Sequence, residues 1–156
     1  MFGVYTKTMH HISKKIVKAF RSGNKVIICG NGGSATMASH FAGEFLGKFE
    51  KNRDPLPAMS LADNLAAMTA IANDYGYHHV FSRQVEAFGK EGDILIILST
   101  SGKSFNCLLA AEMARLKNLV VIDFPREGNS SATIQEYQTK LMHDVCREVE
   151  RELFPL

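Results

Sequence analysis

The sequence predicts an α/β fold, a doubly wound parallel sheet flanked by helices, and three observations carry that expectation. Val26-Ile27-Ile28-Cys29 and Ile94-Leu95-Ile96-Ile97-Leu98 are continuous apolar runs without polar alternation, the pattern of strands buried on both faces. Each run ends in a turn rich in glycine or hydroxyl residues that leads into a helical pattern. Around them, segments with apolar residues at steps of three and four alternate with other short apolar runs. That β-α order builds parallel sheets whose ligands sit at the carboxyl ends of the strands.

Taken in order, Met9, Ile12, Ile16, Val17 and Phe20 form the stripe of an amphipathic helix from Thr6 to Arg21, which Ser22-Gly23-Asn24 ends. His10 and His11 near its start read as solvated or partner-facing residues. After the strand at Val26 to Cys29, Gly30-Asn31-Gly32-Gly33 is a turn, and a helix is entered at Ser34, whose hydroxyl is placed to cap it. The charged, proline-bearing stretch from Lys48 reads as a loop, Ala58 to Leu61 as a short strand, and Asp63-Asn64 as a turn. Leu65 to Ile71 reads as a short apolar helix that gives way to a polar and aromatic loop, Asn73-Asp74-Tyr75-Gly76-Tyr77. Helices are expected at Val80 to Phe88 and Phe105 to Leu116, on either side of the Ile94 strand. Asn118 to Ile122 is the next strand and Asp123 to Asn129 a loop. A final helix runs to about Leu153, with Ser130, Ser131 and Thr133 as candidate N-caps and Thr133 with Glu136 as its capping box.

Composition narrows the function. The 156 residues are 46% hydrophobic, enough for a substantial core, and read as one domain over residues 1–156. A net charge of +2 from interspersed Lys, Arg, Asp and Glu contains no basic block of the kind that tracks a nucleic-acid backbone, so no nucleic-acid partner is expected. No apolar run approaches the roughly eighteen residues of a membrane span, and the N-terminal stretch lacks an apolar leader core. A soluble, cytoplasmic protein without membrane contact is the expectation. Cys29, Cys107 and Cys146 are odd in number and unpaired in spacing, and read as buried thiols.

Two stretches suit a phosphate. At the glycine turn, free backbone N–H groups and the positive end of a helix point at one place. Ser99-Thr100-Ser101-Gly102-Lys103-Ser104 delivers four hydroxyls and a glycine to a second helix start, where a simple cap would need one. The nucleotide pattern G-x-x-x-x-G-K-[ST] is absent, since only Gly102-Lys103-Ser104 is present, so nucleotide hydrolysis is not expected. One turn into the first of these helices, His40 and Glu44 stand at i and i+4, on one face. Gln135 and His143, just over two turns apart, share a broad side of the last helix. Singly, each of these four reads as an ordinary helix residue; their joint presence points to chemistry.

CGNGGSATMASHFAGEF, PLPAMSL, AIANDYGYHHVFSRQVEAFGKEGDILIILSTSGKSFN and IQEYQTKLMHDVCREVERELF, in that order, resemble a sugar isomerase (SIS) domain of the sedoheptulose 7-phosphate isomerase, or phosphoheptose isomerase, family. The resemblance implies a flavodoxin-like three-layer sandwich. It also implies the conversion of sedoheptulose 7-phosphate to D-glycero-D-manno-heptose 7-phosphate through an enediol, the first step toward activated heptose for lipopolysaccharide or capsule. Carried over by position, it implies that Ser99, Thr100, Ser101 and Ser104 hold the phosphate, with Asn31, Gly32, Ser34, Asp74 and Gln135 at the sugar. Glu44 becomes the general base and His143 the general acid. His40, Glu44, Gln135 and His143 become ligands of one zinc ion per subunit, in a homotetramer whose active sites lie at subunit interfaces. Aldose–ketose exchange needs a carboxylate base, a proton donor and stabilisation of an enediolate, which this residue set supplies.

The chain departs from that pattern in places. The family follows the strand at Leu119 to Ile122 with a T-G-x-x-G-G loop and a further strand, whereas this chain runs into Phe124-Pro125. Of two readings, a sheet lacking an edge segment or a mobile loop omitted between Val121 and Phe124, the second is favoured, because losing a strand exposes its neighbour. Ala132-Thr133 replaces an Asp-Arg or Ala-Arg pair, and Lys48 stands where Arg is usual. Two alternatives share the fold: a non-catalytic protein of the DnaA-binding initiator-associating type and a sugar-phosphate sensor. His143, which the first of these lacks, favours the isomerase.

Overall fold

The computed structural model describes residues 2–155. Its sheet has four parallel strands, β1 (Val26–Gly30), β2 (Ala58–Ser60), β3 (Ile94–Leu98) and β4 (Val120–Asp123), in the order β2-β1-β3-β4. Val26 pairs with Ala58 on one side and Ile94 on the other, and Ile94 pairs with Val120. The helices are α1 (Phe2–Arg21), α2 (Gly33–Leu46), α3 (Leu65–Tyr75), α4 (Ser82–Phe88), α5 (Phe105–Leu116) and α6 (Ser131–Leu153), with one 3₁₀ turn at Tyr77–His79.

The strand pleat explains the three layers. Val26, Ile28, Ile94 and Ile96 point into a core with α1, α2 and α6, while Ile27, Cys29, Leu95 and Ile97 point into a second core with α4 and α5, against which α3 also packs. Both sheet faces are therefore covered, as the unbroken apolar runs require. From β1 the chain crosses through α2 to β2, and from β3 through α5 to β4, on the other side of the sheet. The two helices leave adjacent strands in opposite directions, which opens a crevice at the carboxyl ends of β1 and β3.

Several boundaries differ from those expected. Gly32, at φ 57° and ψ −125°, is the N-cap of α2, so Ser34 is no cap but a buried residue of the first turn. Such a backbone angle suits glycine, and it leaves the helix without a side-chain cap. The apolar helix does not stop at Ile71: α3 continues through Asn73 and Asp74 to Tyr75 and ends only where Gly76 turns at φ 93°. Polar residues on an exposed face do not interrupt a helix whose backbone bonds continue. β4 starts at Val120 because Asn118, at φ 60°, still turns the chain out of α5. The capping box of α6 is Ser130 with Thr133, in place of Thr133 with Glu136.

β4 runs straight into Phe124 and Pro125, and among the described residues the sheet has no further edge strand beyond it. The exposure this strand was expected to suffer is present, with Val120 39% exposed at the sheet edge. Below it, the buried Gln138 of α6 donates from Nε2 to the carbonyls of Phe124 (3.3 Å) and Pro125 (3.1 Å), which ties the short connection down.

Candidate functional site

At the crevice, α2 and α5 both begin without a side-chain cap, Gly32 and Ser104 being their N-caps. Part of each first turn bonds back on the chain, Ser34 N to the Asn31 carbonyl and Cys107 N to the Ser104 carbonyl at 3.0 Å each, and the N–H groups of Gly33, Phe105 and Asn106 face the crevice for an anion. Asn31, just ahead of α2, and Asn106, in the first turn of α5, exchange reciprocal amide bonds of 2.9 and 2.8 Å, and the Tyr77 hydroxyl donates to Asn31 Oδ1 at 2.7 Å. This bridge fixes the two helix starts relative to one another.

The hydroxyl loop between β3 and α5 is shaped by its own side chains. Ser99 Oγ accepts from Gly102 N at 3.0 Å and lies 3.5 Å from Ser104 Oγ, while Ser101 Oγ accepts from Lys103 N at 3.0 Å. A hydroxyl that accepts from the backbone keeps its own proton to donate to a phosphate oxygen. Thr100 Oγ1 lies 3.3 Å from Ser131 Oγ, so the start of α6 stands beside the same loop.

The second part of the site lies between α2 and α6. The two helices run alongside each other in matched order: Gln135 meets Gly33, Thr139 Oγ1 lies 3.4 Å from Met37 Sδ, and His143 meets His40. A Cβ on Gly33 would come within 2.8 Å of Gln135 Nε2, which places the movable amide of that side chain against the glycine turn. His40 Nε2 is 2.8 Å from Glu44 Oε1, and the His40 and His143 rings are 5.2 Å apart. One ligand atom from each of His40, Glu44 and His143 can be chosen so that all lie within 4.8 Å of one another, two imidazoles and a carboxylate converging from two helices. That donor set suits zinc.

A buried ion pair holds this end together. Arg53 and Glu150 meet at 2.8 Å with both side chains almost fully buried. Glu150 also accepts from the backbone N–H groups of Phe49, Glu50 and Lys51. Burial by itself would raise the Glu150 pKa, but those three N–H groups and the Arg53 guanidinium outweigh it and hold the carboxyl below its ordinary value.

Of the residues singled out from sequence, His40, Glu44 and His143 come together, as do Ser99 with Ser104 and Thr100 with the α6 start. Gln135 rests at the Gly33 end, about 12 Å along the helix axis from His143 by the rise per residue. Asp74 lies exposed at the end of α3, where its carboxylate accepts from Asn73 Nδ2 at 2.9 Å. Sequence reasoning held Tyr77 only as part of a polar and aromatic loop, and missed Asn106, Phe49 and the Arg53–Glu150 pair. Only Asn106 carried a local signal, as the polar residue in the first turn after the hydroxyl loop.

The SIS-domain family model matches residues 5–124. The phosphoheptose isomerase of Clostridium acetobutylicum is 42% identical over 168 aligned positions, covering 97% of this chain and 86% of that protein. Because 168 exceeds the 156 residues here, the alignment leaves at least 12 positions of that relative without a counterpart in this chain. The phosphoheptose isomerase of Synechocystis sp. is 43% identical, covering 96% of this chain and 86% of its own. Among solved structures, a phosphoheptose isomerase from Francisella tularensis superposes with a TM-score of 0.90 at 33% identity, covering 93% of this chain and 86% of that one. The phosphoheptose isomerase GmhA from Neisseria gonorrhoeae gives 0.86 at 32% identity, covering 92% and 85%. On these matches and this geometry, the chain belongs to the phosphoheptose isomerase family of SIS-domain proteins.

Proposed function

We propose that this protein interconverts sedoheptulose 7-phosphate and D-glycero-D-manno-heptose 7-phosphate through an enediol, with Glu44 as base and His143 as acid. The observation that carries this reading is the convergence of Glu44 and His143 from two helices that also frame the phosphate-binding crevice. The phosphoryl group is gripped by Ser99, Thr100, Ser101 and Ser104 and by the open N–H groups of α5; Asn31, Gly32, Ser34, Asp74 and Gln135 serve the sugar. Glu44 takes a proton from C1, next to the C2 carbonyl, while His143 delivers one to O2, which gives the enediol. Loss of the O1 proton and return of a proton to C2 then leave the aldehyde at C1. Acid and base on rigid helices keep their geometry through both transfers.

His40, Glu44 and His143 would hold a zinc ion, one per subunit, with Gln135 contributing from the glycine-turn end. When bound, it supplies positive charge beside the oxygens that become anionic. The groove along Gln135, Thr139 and His143 is open to solvent, and α3 carries Leu65, Met68 and Ile71 with no residue buried. Both features fit a homotetramer in which a neighbouring subunit covers these surfaces. Among the described residues no helix is long and apolar enough to cross a membrane. A cytoplasmic role in supplying heptose for lipopolysaccharide or capsule accords with the family.

Incubation with sedoheptulose 7-phosphate, following the appearance of an aldose phosphate, tests the proposal. Turnover is expected; its absence with and without added zinc would leave a sugar-phosphate sensor or a protein-binding SIS domain.

A further inference from the structure

The short connection between β4 and α6 lays a guanidinium on the phosphate loop. A Cβ on Gly102 would stand 3.0 Å from both Cζ and Nη2 of Arg126, so the side chain covers the backbone of the loop at its glycine. Two contacts hold it there. Gln138 anchors the chain just upstream at the carbonyls of Phe124 and Pro125, and Asp123 receives Nη1 and Nη2 of Arg126 at 2.7 Å each. Among the described residues, Asp123 is the only carboxylate paired with Arg126. The pair raises the Arg126 pKa above its ordinary value through the Asp123 hydrogen bonds, so the charge is permanent.

A guanidinium has five N–H groups, and the bidentate pair uses two. One N–H on each terminal nitrogen and the Nε proton are left to donate. The serine and threonine hydroxyls and the backbone N–H groups of the loop are neutral and its one cation, Lys103, is exposed, whereas a phosphomonoester is close to a dianion at neutral pH. A positioned cation beside such a cradle makes the stronger, charge-assisted bond and suits a planar donor fork.

Resting on the isomerase reading for its substrate, but naming a group outside the hydroxyl set, we propose that Arg126 is a further phosphoryl ligand that sets affinity for phosphorylated ketoses. It donates a remaining N–H to a phosphate oxygen while Asp123 holds its plane over Gly102.

The test compares the full-length protein with Arg126→Ala in two assays: steady-state kinetics on sedoheptulose 7-phosphate and binding of inorganic phosphate by calorimetry. Loss of one charge-assisted bond should raise KM about tenfold, weaken inorganic phosphate similarly and leave kcat within about twofold. Should the alanine variant fail to fold, Arg126→Gln, which retains a polar stem able to reach Asp123, is expected to give the same KM shift. Unchanged KM and unchanged phosphate affinity in a folded variant overturn the assignment. If the unaltered protein binds phosphate more tightly than Arg126→Ala but turns over no sedoheptulose 7-phosphate, the isomerase reading fails and the Arg126 site stands.

Discussion

Phe49 lies on the imidazole of His143, with ring centroids 5.5 Å apart and planes 24° from parallel. The contact depends on Glu150, which accepts the Phe49 N–H at 2.9 Å and anchors the turn after α2. Its partner Arg53 reaches the carbonyls of Glu44 (2.7 Å) and Phe45 (2.8 Å) at the end of the same helix. One buried pair therefore positions both the backbone that carries Glu44 and the ring that covers His143.

Removing that cover should loosen the imidazole without touching the phosphate loop. Phe49→Ala is expected to lower kcat by about 10- to 100-fold, the scale of a small misplacement of a reacting group, with KM nearly unchanged. Steady-state kinetics on sedoheptulose 7-phosphate check this; a KM effect with normal kcat would instead place Phe49 at the substrate.

Glu44→Gln keeps the shape of the side chain and removes its ability to take a proton. Turnover should fall by about 10²- to 10⁴-fold, the usual contribution of a general base, while binding of the phosphate ester by calorimetry stays measurable. A fully active variant would show that the base is another residue.

Protein purified without chelator is expected to carry zinc, and His40→Ala to carry much less, because one of two imidazole donors is lost. Metal analysis reads this directly. Equal zinc content in the two proteins would separate His40 from the metal site.

Asp93 ties the start of β3 to the start of β1, and its titration should set part of the acid stability. The carboxylate accepts from Lys25 Nζ (2.5 Å), Lys25 N (3.0 Å), Lys90 N (2.9 Å) and Asn24 Nδ2 (3.1 Å). Burial raises its pKa, but these bonds prevail and leave it lowered. A depressed folded-state value means that this contribution is complete above the unfolded pKa, near 4, and is lost as pH falls through the folded value. Asp93→Asn should therefore cost about 1–3 kcal/mol at pH 7 in denaturant unfolding, with the deficit shrinking as the pH is lowered below about 4. A deficit that did not shrink on acidification would mean that the charge of Asp93 is not what stabilises the fold.

Much of the fold is legible locally. The apolar runs of β1 and β3 announce buried strands, and the His40–Glu44 spacing announces a shared helix face, because both depend only on backbone periodicity. Element ends are less legible. Ser34 looks like a cap, but Gly32 takes that place through a backbone angle that the residue pattern permits without requiring. Asn73 and Asp74 look like breakers, yet α3 passes through them because their side chains face solvent. Arg126 gave no signal at all, since its place over Gly102 depends on where the β4–α6 connection lands.

By itself the sequence determined the alternation of strands and helices, the glycine turn and the hydroxyl loop at the ends of β1 and β3, and the shared helix face of His40 and Glu44, since each is written in neighbours a few positions apart. Only the tertiary structure decided that α6 lies beside α2 with His143 against His40 and Glu44, that Arg53 and Glu150 clamp Phe49 over that imidazole, and that Arg126 covers Gly102. Those pairings join residues far apart in the chain, and their geometry comes from how helices pack on a twisted sheet, which periodicity cannot encode.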